Sequence, residues 1–557
     1  MKIEKINKFC EIILDNSWTS YDLHGVKGYF KGYLYKPFYE KRDAAEYLIK
    51  KFIKEDTKSI TKKLNSIRGH YAFILEKEDK VIACVDVARS IPLSYLLHNR
   101  NIYLFSPNNE IIDKIGFDVK EIDTSAAISI GMSGCTIGRD TLFKEMKNLN
   151  AGEFISIEKN NINNFNWFTY IPDLDFDKSK KNYLPELNTV LNGIFDNIIK
   201  SCNGKKILIP LSAGLDSRLV ASFLSLKKYK NVYCFSYGQK GNFEAYHAKK
   251  ISKKLGYKWF FIEINYKIAR NFYKSETYKK YLSYSDSFAS NPVSHELIAC
   301  DYLKRNGFDK DCIIINGMPG DFFTGGHIPI KLINPSKNIN DLDKRKNFII
   351  DCYIEKHFSL WEMLKTKKNI SLVKNKLLGE LSQFDMKNYD KKNDYIYYEY
   401  LEFLNRQTKL IMSNQRVYDF FGFDWRLPFF DYEFIELWRN VGITEKQSQS
   451  LFSEYLDQRN IGEVWRPLRK KTWVSPRFHR YTRIIFKALF YTFYDKFKWH
   501  KFNKKYFDYF NDVSKKNAIV SWRESIKDKR GWRNANSWLV EKYLNKFKIK
   551  IDELTND

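Results

Sequence analysis

The chain has 557 residues, 44% of them hydrophobic, with 94 Lys and Arg against 66 Asp and Glu and a formal net charge of +28. This length and apolar content exclude a disordered polyelectrolyte and predict two or three folded domains. The charge is compatible with an anionic partner, but abundant Lys and Asn can reflect coding bias, so nucleic acid is not an expected partner.

Eight cysteines without a CxxC pair and nine histidines without HExxH spacing exclude a disulfide framework and a zinc site. They predict reduced, buried thiols and a cytoplasmic protein. The start, MKIEKINKFCEIIL, is charged too often for a signal peptide, and no apolar run nears the ~20 residues that span a bilayer. Residues 1 to about 165 read as short strands and turns with some helix. Gly25, Gly28 and Gly32 punctuate Tyr/Phe-rich segments in hairpin fashion. Cys10 lies in an apolar, helix-like run, 44–64 is a polar-faced helix, and 71–75, 81–85 and 102–105 are strands. Over 184–199, Leu187, Val190, Leu191, Ile194, Phe195 and Ile198 keep one apolar helical face.

From Ile207 the pattern alternates strand and helix. Strands are predicted at 207–211, 232–237, 259–264 and 312–316, with helices at 215–228, 243–255 and 293–305, and with Gly256 and Gly307 at C-terminal cap positions. This predicts an α/β fold with a doubly wound parallel sheet, whose ligand site lies at the carboxyl ends of its strands. The stretch ILIPLSAGLDSRLVASFL, 207–224, is its key element. A strand buried on both faces runs into a small-residue loop and then a helix, the geometry that offers backbone N–H groups and a positive dipole end to an anion. Ser212 and Ser217 add hydroxyls, and Gly214 permits close approach. Asp216 repels phosphate unless it holds magnesium; as a helix cap it would be ordinary. The local pattern does not choose between these two. A second Gly-rich loop, NGMPGDFFTGGH, follows the strand at 312–316 and carries Asp321, which reads either as a turn residue or as a second carboxylate for the same metal. Beyond about 340 the chain is predicted mostly helical, with DWRLPFFD (424–431) a compact knot.

These pieces resemble the asparagine synthetase family. Ser212-Ala213-Gly214-Leu215-Asp216-Ser217 is similar to its SGGxDS loop. Phe235-Ser236-Tyr237-Gly238, Glu244-Ala245 and Leu255-Gly256 follow its next strand and helix. Asn316 to His327 is similar to SGEGADELFGGY, Asp424 to Asp431 to ExRxPFLD, and Arg469-Lys470-Lys471 to a late Arg-x-Lys. The resemblance implies an ATP pyrophosphatase in which a substrate carboxylate is adenylated and an amine then displaces AMP. It implies ATP and Mg²⁺ as cofactors. Ser212, Gly214 and Ser217 would hold pyrophosphate, with Leu215 in the same cofactor-binding loop, Asp216 and Asp321 the metal, and Leu211, Ser236 and Gly317 would line adenosine. Lys471 would neutralise charge at the reacting phosphate, with Asp321 as its catalytic partner. Met318 and Phe322 stand where the family has Glu, so asparagine is not the expected product. A sugar carboxylate of the bacterial envelope or a peptide is, with an amine or ammonia as acceptor.

The first 170 residues resemble a class II glutamine amidotransferase domain of four-layer, Ntn-hydrolase-like α+β fold, through Gly69 to Phe73, Asp86, Pro92, Leu93 and Thr141-Leu142-Phe143. Lys2 and Cys10 leave no N-terminal Cys, and Val85 replaces the glutamine-binding Arg, so no glutaminase activity is expected. The domain division this implies is 1–170, a connecting helix at 171–200, the synthetase-like domain at 201–480 and a basic aromatic extension at 481–557. The segment 477–510 reads either as an interfacial membrane helix, which would place the protein at the inner face of the membrane, or as ordinary packed helices. A homodimer is compatible with the sequence. The alternatives to a ligase are a non-catalytic paralog and a tRNA-modifying ATP pyrophosphatase.

Overall fold

The computed structural model describes residues 2–5, 10–35, 41–98, 101–109, 112, 121–159, 161–173, 182–292, 295–308, 311–333, 341–388, 390–465, 477–507 and 518–555. The first strands in chain order are β1 (Lys2–Lys5), β2 (Cys10–Leu14), β3 (Thr19–Leu23), β4 (Val26–Leu34), β5 (Gly69–Glu76), β6 (Val81–Val85), β7 (Ser94–His98), β8 (Asn101–Phe105), β9 (Met146–Asn148), β10 (Glu153–Glu158) and β11 (Asn161–Asn166). They form two sheets, ordered β1-β2-β8-β7-β9 and β11-β10-β6-β5-β4-β3. Period-two alternation divides their side chains between cores. Phe73, Leu75 and Cys84 join Leu48, Ile49 and Phe52 of the helix Lys41–Phe52. Ala72, Ile74, Ala83 and Val85 instead meet Ile12, Leu14, Ile102 and Leu104 of the other sheet.

Two sequence expectations change here. The predicted helix over 44–64 is two helices, Lys41–Phe52 and Thr57–Leu64, because Asp56 caps the second by accepting from the Ser59 N–H. Cys10 begins strand β2 rather than lying in a helix. Cys10, Ile12 and Leu14 enter one core and Ile13 another, an alternation that so short a segment, apolar but for Glu11, does not reveal by composition.

The helix Tyr183–Cys202 follows, burying Leu187, Leu191, Ile194, Phe195 and Ile198 as its periodicity requires. Next come β12 (Lys206–Pro210), β13 (Val232–Gly238), β14 (Lys258–Glu263), β15 (Cys312–Ile315) and β16 (Asp424–Arg426), all parallel, in the order β14-β13-β12-β15-β16. The chain builds outward from β12 to β14, then crosses to β15 on the other side, so the topological switch lies between β12 and β15. Strand β16 corrects the reading of 424–431 as a knot: three residues are too few to show a strand period, and pairing with β15 creates it. Gly256 and Gly307 sit at φ +76 and +78, as C-terminal caps require. The later chain is largely helical around a second core with Trp361, Tyr397 and Tyr398. Among the described residues no helix is long and apolar enough to cross a membrane.

His70 joins the antiparallel sheet to β16. Tyr33 Oη lies 2.6 Å from its Nδ1, the Trp425 ring is 5.7 Å away, and Arg426 covers the Tyr33 ring at 4.0 Å. Burial, with Arg426 beside it, pushes the imidazole down to about 3. The unfolded chain therefore takes up this proton first as pH falls, so stability at this site is retained above the ordinary histidine value and lost progressively from about pH 6.5 toward 3. Denaturant midpoints between pH 7 and 5 should fall less steeply in His70→Gln, by one proton's slope; equal slopes would mean that His70 is protonated in the native state.

Candidate active site

The loop after β12 is held by its own hydroxyls. Ser212 N–H donates to Ser217 Oγ at 3.1 Å, the two Oγ atoms are 3.0 Å apart, and Gly214 N–H donates to Ser212 Oγ at 3.0 Å. The helix Leu215–Leu226 starts at Gly214 with no side-chain cap, which leaves its first N–H groups directed at the loop mouth with the positive dipole end. Asp216 is the second residue of that helix, and its carboxylate faces Asp321, whose backbone N–H donates to Asp216 Oδ2 at 3.2 Å. The structure thus brings together the two carboxylates that the sequence placed on separate loops.

Two glycines make this approach possible. A Cβ on Gly320 would lie 2.6 Å from the Asp216 carboxylate, and one on Gly317 would lie 2.7 Å from the Asp216 carbonyl carbon. Gly317, read from the sequence as lining adenosine, packs against the backbone of Asp216 and Ser217. Ser236 is buried and donates to the Leu211 carbonyl at 2.7 Å, while Trp259 Nε1 donates to its Oγ at 3.1 Å, so it joins the ends of β12 and β13. Leu215 is half-buried at the first helical position. Lys471 and its neighbours Arg469 and Lys470 lie outside the described residues. Met318 is half-buried, and its N–H donates to Asn316 Oδ1 at 2.9 Å. Phe322 is fully buried against Tyr170, Phe323 and Phe403, turned into the core rather than toward the carboxylates.

Several contacts at the site are visible only in the fold. Arg218 is buried, donates to the carbonyls of Ala213 at 2.6 Å and Val464 at 3.0 Å, and lies over the Trp465 ring, so it ties the loop to the chain leading into 466–476. His327 bridges two carboxylates: its Nε2 is 3.2 Å from Asp321 Oδ2 and its Nδ1 contacts Glu402. Glu402 is fully buried and also receives His357 Nε2 and Gln407 Nε2, each at 2.9 Å; Tyr398 Oη lies 2.9 Å from the same His357 nitrogen. Glu402 ends the helix Tyr395–Glu402 where a π-helical stretch, Phe403–Ile411, begins. The wider turn directs Glu402 and Gln407 to the same histidine. No spacing rule reaches 75 residues from His327 to Glu402, so only the fold pairs them.

The charges are coupled. Burial, then the Asp321 carboxylate, pushes Asp216 up to about 8. Burial opposes a proton on His327, but Glu402 and Asp321 outweigh it and raise the imidazole to about 9. Burial also works against the Glu402 charge, which His357 and His327 nevertheless hold far below the usual carboxylate range. A divalent cation between Asp216 and Asp321 would relieve the repulsion that keeps Asp216 protonated, so this donor pair suits Mg²⁺ completed by water and phosphate oxygens. Among the described residues no group of three or more His, Cys, Asp or Glu is placed to hold a metal alone. A separate cavity of about 450 Å³, lined by Tyr95, Arg139, Glu153, Tyr170, Glu380 and Phe403, contains none of the predicted site residues.

Fold and site together define an α/β protein in which a small-residue loop, an uncapped helix start and two facing aspartates meet at the switch point of a parallel sheet. Residues 204–460 match the asparagine synthase family model. The chain is 26% identical over 227 residues to the microcin J25-processing protein McjC of Escherichia coli, covering 39% of this chain and 40% of that one. It therefore spans about two-fifths of that relative's length. It is also similar to two solved structures: an allosteric regulatory enzyme of purine biosynthesis (10% identity, TM-score 0.19, 43% of this chain and 61% of that one) and the glutamine phosphoribosylpyrophosphate amidotransferase of B. subtilis with ADP and GMP (11%, 0.19, 55% and 59%). At that TM-score neither bears on the architecture.

Proposed function

We propose that the chain is an ATP-dependent amide-forming ligase. It activates a substrate carboxylate as its adenylate with loss of pyrophosphate, and an amine or ammonia then displaces AMP. The observation that carries this reading is the meeting of Asp216 and Asp321 at the start of the helix Leu215–Leu226. The helix-start N–H groups and the hydroxyls of Ser212 and Ser217 bind the pyrophosphate oxygens, and Leu211 and Ser236 border the adenosine. Asp216 and Asp321 would hold Mg²⁺, which would neutralise phosphate charge when bound. His327, 3.2 Å from Asp321 Oδ2, orients that carboxylate, and Lys471 would oppose charge developing at the reacting phosphate.

The loop lacks the lysine of a Walker motif, which favours release of pyrophosphate over transfer of the terminal phosphoryl group. Retention of the Asp216–Asp321 pair supports an active enzyme over a decayed paralog. Met318 and Phe322 support a product other than asparagine, and the similarity to a microcin J25-processing protein adds microcin-like substrates to carboxylated sugars.

The N-terminal part is an amidotransferase-like relic of four-layer Ntn-hydrolase type, a reading supported by its two facing sheets with Lys41–Phe52 packed outside one of them. All eight cysteines are buried, and burial with Glu76 and Glu11 pushes the Cys10 thiol up to about 12, far from a nucleophile. Chromatography of nucleotides after incubation with candidate carboxylates and amines should show AMP and pyrophosphate, and the same protein should release no glutamate from glutamine. ADP as the main product would end the adenylation reading, and glutamate release would end the relic reading.

A further inference from the structure

The helix Arg477–Phe493 presents an apolar surface that nothing in the proposed reaction uses. Phe478 (60% exposed), Tyr481 (68%), Ile484 (52%), Ile485 (58%), Leu489 (45%) and Phe493 (71%) are open to solvent. At 3.6 residues per turn these six fall within roughly half of the helix circumference. Among the described residues, half of the large hydrophobic side chains that are exposed lie between 478 and 494. Scattered apolar exposure is ordinary; a concentration on one helix is not.

The other face of the helix is occupied. Phe486 and Phe490 pack on Phe502, at 5.4 and 4.6 Å between ring centroids, and Phe490 also meets Trp499. Arg483 Nε donates to Asn503 Oδ1 at 2.7 Å. The helix Lys496–Tyr506 is thus the partner on that side and orients the apolar arc away from the pair. Along the edge of the arc stand Arg480 and Lys487, both exposed, and residues 478–501 carry six Lys and Arg against one Asp.

We infer that the helix Arg477–Phe493 docks the protein on the surface of an anionic lipid bilayer, lying in the interface with the arc of Phe478, Ile485 and Leu489 among acyl chains. Charge selects this occupant. Two copies meeting arc to arc would bring their Arg480 and Lys487 edges together, each within the same basic excess, whereas anionic headgroups pair with them. Tyr481, Tyr491 and Tyr494 supply rings with an apolar body and a polar tip, suited to headgroup depth. A helix of 17 residues is about 25 Å long, and no described helix can span a bilayer, so the helix lies on the surface rather than crossing it.

The test is co-sedimentation of the full chain with phosphatidylcholine vesicles and with vesicles that also contain phosphatidylglycerol. Binding is expected only to the anionic vesicles and should weaken with added salt. Ile485→Asp with Leu489→Asp should lower the partition coefficient at least about tenfold through lost apolar burial, and Arg480→Glu with Lys487→Glu should do so through charge. All four side chains are exposed, and unchanged circular dichroism would confirm intact variants. Failure of the wild type to bind anionic vesicles at low salt, or variants that bind as well as wild type, would overturn the inference. A wild-type dimer that Ile485→Asp with Leu489→Asp converts to monomer, without lipid binding, would assign the face to a second copy and overturn it equally.

Discussion

Replacing Asp216 by Ala should abolish binding of Mg-ATP. The carboxylate sits at the second position of the helix Leu215–Leu226, takes the Asp321 N–H, and is crowded by glycines with no space for a Cβ. A metal held between a carboxylate and phosphate oxygens contributes several kcal/mol, so calorimetry should show an affinity loss of roughly 10²–10³-fold or more. The loss would not reflect unfolding. Without metal, Asp216 is a half-buried carboxyl opposed by Asp321, so its removal relieves repulsion rather than breaking a favourable pair. Wild-type-like Mg-ATP affinity in Asp216→Ala would remove the loop assignment.

The second large effect is expected at Glu402. Its carboxylate accepts from His327, His357 and Gln407 in a site closed to solvent. Truncation to Ala leaves two buried donors and the half-buried His327 without their acceptor and removes the charge that keeps His327 protonated. Breaking a buried ionic cluster by deleting one partner costs about 3–5 kcal/mol. For a domain of this size that lowers the thermal midpoint by roughly 10 °C. Glu402→Gln, which keeps an acceptor but not the charge, should fall between. A midpoint for Glu402→Ala within about a degree of wild type would mean that the histidines find other partners and that the cluster adds little.

Legibility followed the length scale of each interaction. The strand, small-residue loop and helix at 207–224 are contiguous, and so are their apolar run and helical period; the strands β12 and β13 and the helices after them lie where the pattern puts them. Asp216 and Asp321 were each legible as carboxylates at strand ends, because Gly-rich loops after buried strands are local signals. The strand β16 was not, since three residues show no period until β15 pairs with them. Nor was the strand at Cys10, where four apolar residues around Glu11 fit either helix or strand.

The amino-acid order by itself determined the parallel-sheet architecture, the strand–loop–helix at 207–224 and the helix Tyr183–Cys202, because each rests on hydrophobic periodicity and on residues close in sequence. Tertiary structure alone decided the meeting of Asp216 with Asp321 across 105 residues, the joining of His327 to Glu402, the turn of Phe322 into the core and the outward apolar arc of Arg477–Phe493. Those depend on which faces are covered by distant elements. A side chain's neighbours across a folded core are set by packing and burial of charge, which no local period encodes.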